Sequence, residues 1–201
     1  MEHLDESDES RTRAGRRIAV VGTTGSGKTT FARRLSERLA VPHIELDALY
    51  WGPDWTPAPV EVFRERIAEA IAAPAWVADG NYTTSTGGQV WAAADTLVWL
   101  DVSIALIYRR LFTRTTARAV RGVELWNGNR ESLRTAFFSR ESLFVWALKT
   151  HWKHRHEWPE MLRRPEFAHL RLARLRSPKG AERYLATFDH EGAAAGLATS
   201  S

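Results

Sequence analysis

Gly22-Thr23-Thr24-Gly25-Ser26-Gly27-Lys28-Thr29 satisfies the G-x-x-x-x-G-K-[ST] phosphate-binding pattern at every specified position. Its neighbours supply the setting that the pattern needs. Arg17-Ile18-Ala19-Val20-Val21 is a short β-branched run that reads as a strand, and Thr30 to Ala40 reads as a helix with Phe31, Leu35 and Leu39 on one stripe. A strand, a glycine loop and a helix in that order form a P-loop. The glycines let successive backbone N–H groups point inward, and the first helical turn adds its partial positive charge. Residues 22–30 are therefore the expected polyphosphate cradle, with Lys28 reaching the β- and γ-phosphates, Thr29 placing its hydroxyl on Mg²⁺ and Thr30 at the mouth.

Outward from this loop the chain alternates strands and helices. Pro42 to Leu46 is an expected second strand, followed by an aromatic loop, Asp47-Ala48-Leu49-Tyr50-Trp51-Gly52-Pro53-Asp54-Trp55. Open α/β sheets place their ligand crevice at such strand ends, so Trp51 and Trp55 either stack on a ligand or seal a small core. A helix is expected from Val60 to Pro74, with Phe63, Ile67, Ala70 and Ile71 on one face. Ala75-Trp76-Val77-Ala78 is a third strand that delivers Asp79 to its C-terminal end, where it is either the second residue of the magnesium site or the start of an Asp-Gly turn. Asp95 to Asp101 is a fourth strand, Leu170 to Leu175 a fifth, and a last helix carries Tyr184, Leu185 and Phe188. The expected fold is α/β, a doubly wound parallel five-stranded sheet of the P-loop kinase type with an Arg-rich helical lid.

Charge divides the chain in two. Residues 102–176 carry 16 Lys and Arg against 6 Asp and Glu, whereas residues 1–101 carry 10 against 15, so the second half suits an anionic ligand. From Val102 a helix bears Arg109, Arg110, Arg114, Arg118 and Arg121, and the polar stretch from Gly122 to Glu131 has the look of a lid, placed at about 112–138. Arg114, Arg118 and Arg121 share one helix face, and Arg130 would approach from the opposite side on closure. A further helix opens at Ser139, with Leu143, Phe144, Ala147 and Leu148 on its inner side. It continues into His151-Trp152-Lys153-His154-Arg155-His156, read as a solvated basic face because lysine and arginine interleave and no carboxylate or cysteine ligand adjoins.

At 201 residues and 44% hydrophobic content, one domain over residues 16–190 is expected, with disordered tails at 1–15 and 191–201. The chain has no Cys, no apolar run of membrane-spanning length and no signal-peptide core, which together point to a cytoplasmic protein. A monomer or homodimer is equally consistent with the composition. No Asn-Lys-x-Asp or Thr-Lys-x-Asp base-reading signature occurs, which disfavours a GTPase.

The compact size and the Arg-rich insertion after the fourth strand resemble the adenylate kinase and shikimate kinase group. More narrowly, Gly22 to Thr29, His43-Ile44-Glu45-Leu46-Asp47 with Trp51 and Trp55, and Trp76 to Tyr82 resemble the bacterial DNA topology modulation proteins related to adenylate kinases, over roughly Arg17 to Phe188. That resemblance implies the fold and ATP binding better than it implies a substrate. Thr83 and Thr84 stand near the place where adenylate kinases carry an Arg, which argues against AMP as acceptor. The expected activity is Mg²⁺-dependent transfer of the ATP γ-phosphoryl group to a small molecule. Lys28 holds the phosphates, Thr29 and Asp79 organise Mg²⁺, Arg118 and Arg130 of the lid close over the transferred group, and Asp47 orients or deprotonates the acceptor hydroxyl. The alternative is an ATP-dependent regulator that binds nucleic acid through the basic second half and hydrolyses weakly.

Overall fold

Side-chain alternation along five short strands decides which helices cover which face of the sheet. The computed structural model describes residues 15–83, 85, 86, 88–121 and 143–189. The strands are β1 (Arg17–Gly22), β2 (His43–Glu45), β3 (Trp76–Asp79), β4 (Thr96–Leu100) and β5 (Arg171–Leu175). They pair in the order β2-β3-β1-β4-β5, and every pairing is parallel. Five parallel strands with helices on both faces make the doubly wound sheet of a P-loop kinase, as the sequence implies.

On one face, Ile18 and Val20 of β1, Val77 of β3 and Val98 of β4 pack against Phe31, Ala32 and Leu35 of α1 (Lys28–Leu39) and Leu185 of α7 (Pro178–Ala186). On the other, Ala19, Val21, Ala78, Leu97 and Trp99 meet Phe63 and Ile67 of α3 (Val60–Ala70) and Trp91 of α4 (Gln89–Ala93). Two long helices, α5 (Ile104–Arg121) and α6 (Leu143–Met161), share a smaller cluster of Val102, Ile107, Leu111 and Ala147. The far end of α6 then reaches the sheet through Trp158, edge-on to Trp99 with ring centroids 5.2 Å apart. Arg34 grips Glu182 between α1 and α7 with two bonds of 2.5 and 2.6 Å. Both side chains stay in contact with water, which screens the pair, so buried Leu185 and Phe188 dominate the docking of α7. Among the described residues no helix is long and apolar enough to cross a membrane.

Two local expectations change, and one short helix, α4, is added. Leu46 does not prolong β2 but opens α2 (Leu46–Tyr50), so Asp47 lies on a helix and not in a loop. Leu46, Leu49 and Tyr50 recur at helical spacing and pack on the cluster around α3, which overrides the period-2 reading of a three-residue strand. The five-residue α4 is too short to show a period. Leu148, expected on the inner side of α6, is 43% exposed. Ser139, the segment 122–138 of the expected lid and residues 1–14 and 191–201 of the expected tails lie outside the described residues.

The carboxyl end of β4 is tied to its neighbours by one buried anion. Asp101 accepts a 2.7 Å bond from Arg155 Nε on α6 and bonds of 3.0 and 2.7 Å from Arg174 Nε and Nη2 on β5. Arg174 also lies over the Trp99 ring, 4.0 Å from its centroid. The Asp101 side chain is 3% exposed and the two guanidinium groups 32%, so removing the carboxylate leaves two cations facing one another at a partly dry site. Asp101→Ala is expected to lose about 3 kcal/mol of stability, the low end for breaking a buried pair because the cations keep some water. Urea denaturation measures it, and a loss below about 1 kcal/mol would show the triad to be a solvated surface contact.

Candidate functional site

The loop between β1 and α1 is shaped by backbone that only glycine adopts easily. Gly25 and Gly27 have φ of 81° and 94°, and Gly27 caps α1 with no side chain bonded to the helix's first amides. A Cβ on Gly25 would lie 2.7 Å from Leu111 Cγ, so α5 sits directly against the loop. Arg110, also on α5, donates to the Ser26 carbonyl, and burial followed by the neighbouring Arg109 pulls its guanidinium below the usual range. The opposite end of the loop is clamped by Asn81, whose side chain accepts from Gly22 N at 3.2 Å and donates to Gly22 O at 2.7 Å. Thr23 and Ser26 are buried, and among the described residues the Ser26 hydroxyl oxygen has no hydrogen-bond partner. Lys28 and Thr29 are half-buried in the first turn of α1, Thr24 is half-buried in the loop, and Thr30 is exposed.

Asp79, the last residue of β3, is brought to this turn by strand alternation. Trp76 and Ala78 face α3, so Val77 and Asp79 face α1. Thr29 Oγ1 donates to Asp79 Oδ2 at 2.7 Å, so Thr29 and Asp79, expected to share a magnesium site, are in direct contact. The other carboxylate oxygen is also engaged: His43 Nε2 lies 2.8 Å from Oδ1. His43 escaped the sequence reading because nothing local distinguishes a histidine at the start of an edge strand.

Asp47 is held in turn by Tyr82, whose hydroxyl donates to Oδ1 at 2.6 Å. Burial, and then the Asp47 charge, push the Tyr82 phenol far above its ordinary value, so it remains a donor throughout the working pH range. Tyr82 belongs to an aromatic cluster with Tyr50 and Phe63 at centroid distances of 4.8 and 4.9 Å. Trp51 packs edge-on against Tyr50 and Trp55, at 4.8 and 5.7 Å, and both tryptophans remain partly exposed beside that cluster. They neither join the core fully nor stand free of it.

The histidine run on α6 requires a correction. Only His156 fits a solvated basic face, with 81% of its side chain exposed. His151 is 3% exposed, with Nδ1 3.4 Å from the P-loop Thr23 hydroxyl, and His154 stacks on Trp158 at 4.0 Å and 11°. The residues lie at i, i+3 and i+7 on the inward face of α6, a pattern hidden because histidine, lysine and tryptophan give no clear apolar stripe. Of the expected catalytic arginines, the Arg118 side chain and all of Arg130 lie outside the described residues. The arginine seen to touch the loop is Arg110.

Burial is the main reason that His154 titrates low, at about 4, with Lys153, Lys28 and His151 adding to it. His151 is lowered by burial and then by Arg155, against a raising contribution from Asp101. A base with a depressed folded value takes up protons more readily when unfolded, so acid destabilises the protein from about pH 6.5 down to about 4. His154→Phe keeps a ring on Trp158 and removes that titration. Between pH 7 and pH 5 the variant should lose about 2 kcal/mol less stability than the parent, from roughly 1.5 units at 1.36 kcal/mol each. Chemical denaturation at the two pH values tests this, and parallel losses in both proteins would contradict it.

No family model matches the chain. A shikimate kinase of Symbiobacterium thermophilum is 33% identical over 109 residues, 46% of this chain and 62% of that protein. A shikimate kinase of Dechloromonas aromatica is 32% identical over 111 residues, 47% of this chain and 60% of its own length. The chain thus spans less than two thirds of the curated relatives it matches. Among solved structures, a gluconokinase from Sinorhizobium meliloti superposes with a TM-score of 0.51 at 18% identity, covering 93% of this chain and 99% of that one. A shikimate kinase from Acinetobacter baumannii in complex with shikimate gives 0.51 at 17%, covering 86% and 89%. The chain therefore has the fold of the P-loop small-molecule kinases.

Proposed function

We propose that this protein is an ATP-dependent phosphotransferase that phosphorylates a hydroxyl of a small, polar acceptor. The observation that carries the proposal is the P-loop with Thr29 and Asp79 in contact at 2.7 Å beside it. The matching shikimate kinases and the structural likeness to a gluconokinase support a polyhydroxy acid as the class of acceptor.

The Thr29 hydroxyl and the Asp79 carboxylate are adjacent hard oxygen donors, the kind of set Mg²⁺ prefers, and they would hold the ion, Asp79 commonly through a water. Bound there, Mg²⁺ supplies positive charge to the phosphate oxygens. The remaining work falls to the chain. The amides of residues 22–29 cradle the β- and γ-phosphates, and Lys28 adds a charge whose position follows from the first turn of α1. Arg110 and Asn81 keep those amides aimed by bracing Ser26 and Gly22. Asp47, oriented by Tyr82, accepts a hydrogen bond from the acceptor hydroxyl and aligns it for attack. As the bond from that oxygen to the γ-phosphorus forms, its proton passes to Asp47, and the bond to the β–γ bridging oxygen breaks and leaves ADP. Arg118 and Arg130 close over the transferred group in this reading.

The second reading, a nucleic-acid-binding regulator of the DNA topology modulation type, draws on the basic second half. Three of the arginines there, Arg110, Arg155 and Arg174, are turned to internal partners, which favours the kinase. ADP release should rise with one member of a panel of hydroxy acids, sugars, nucleosides and nucleotides, beginning with shikimate and gluconate. Lys28→Ala should lower that turnover by roughly 3 kcal/mol or more in transition-state binding, about a hundredfold, while the fold survives. Stimulation by DNA or RNA alone would favour the regulator, and full turnover in a folded Lys28→Ala protein would refute the proposed site.

A further inference from the structure

Asp79 has a second partner that contact with Thr29 alone does not require. His43 begins the edge strand β2, in register with Val77 of β3, so its side chain emerges on the α1 face beside Asp79. Ile44, its neighbour, points to the opposite cluster. The result is a line of three side chains across three elements: His43 Nε2 to Asp79 Oδ1 at 2.8 Å, and Asp79 Oδ2 to Thr29 Oγ1 at 2.7 Å. The Asp79 side chain is 3% exposed and that of His43 13%, so little water is available to replace either bond. Glu45 lies on the far side of the ring, 4.0 Å from Nδ1, beyond hydrogen-bond reach.

We propose that His43 is a positioning residue for the ion site of the nucleotide complex, acting through Asp79. This rests on the P-loop reading above and goes further by giving a role to a residue outside the loop and outside β3. A carboxylate at a strand end can rotate about its last torsion, and one bond from Thr29 still permits either oxygen to take that place. With His43 on Oδ1, Oδ2 is the oxygen left for Thr29 and for whatever cation Thr29 meets. A carboxylate oxygen only accepts, so Nε2 is the protonated nitrogen of the ring, and the hydrogen bond restricts rotation of both groups. Outer partners of this kind govern affinity for the ion more than the ligands' identity alone would suggest. A purely architectural His43, tying β2 to β3, would instead affect stability and every ligand alike.

The test uses the full chain with ADP, following Mn²⁺ binding by electron paramagnetic resonance and Mg²⁺-free ADP binding by calorimetry in EDTA. In His43→Ala the Mn²⁺ dissociation constant should rise roughly tenfold while ADP affinity in EDTA changes by less than about twofold. His43→Asn places its amide nitrogen where Nδ1 was and should behave like His43→Ala. His43→Gln can reach the Nε2 position and should recover most of the Mn²⁺ affinity. Equal losses with and without the ion, a Mn²⁺ titration overlaying the parent, or no difference between His43→Asn and His43→Gln would each overturn the proposal, as would unfolding of all three variants. A parent protein that binds no ADP would instead remove the P-loop reading, a result distinct from these.

Discussion

A carboxylate withdrawn from water must be supplied with donors, and at Asp79 the donors come from two other elements. Thr29 belongs to the first turn of α1 and His43 to the first residue of β2, so one buried anion links the helix after the P-loop to the two strands beside it. The arrangement depends on sheet order. Because β3 lies between β1 and β2, Asp79 emerges next to the loop that follows β1, with β2 on its other side. On the other side of β1, β4 sets Val98 opposite the Val20 that pairs with Asp79. Asp101 lies further along and is sequestered by Arg155 and Arg174.

Those two carboxylates show how similar local chemistry acquires different uses. Both end a buried parallel strand and both are nearly inaccessible. Asp101 faces two guanidinium groups and is neutralised within the fold, whereas Asp79 faces neutral donors or a histidine and keeps an oxygen directed at the P-loop threonine. Charge compensation at Asp101 comes from two cations within the fold, while the described partners of Asp79 are a hydroxyl and an imidazole. The same distinction runs through the basic half of the chain. Its surplus of arginine suggests a broad anionic partner, yet Arg110, Arg155 and Arg174 brace the loop and the sheet.

The helix α6 also borders the loop. His151 meets Thr23, and His154 is stacked against Trp158 near Lys28, so the P-loop is bordered by imidazoles that burial keeps neutral near pH 7. Neutral rings can approach a lysine-bearing loop where further cations would raise its charge and repel one another. Asp47 is held differently, through Tyr82 and the aromatic cluster around it. The P-loop and Asp47 therefore rest on separate frameworks joined at the Asp79–Tyr82 segment.

The P-loop, the strand and helix around it, the five-stranded parallel sheet and the chain's place among P-loop kinase folds were all legible in the sequence. Those features depend on short-range spacing: glycines where φ must be positive, and β-branched runs that must be buried on both faces. Asp79 and Asp47 could be singled out because they end apolar strands, although α2 rather than a loop carries Asp47. The partners of these residues were not legible. His43, Tyr82, Arg110, Asn81 and His151 reach their contacts across 36, 35, 84, 59 and 128 positions of sequence, respectively. No local period records such a separation. Whether a polar side chain is a solvated surface group or a buried donor is decided by the element packed over it, and that depends on strand order and helix docking, which only the folded chain contains.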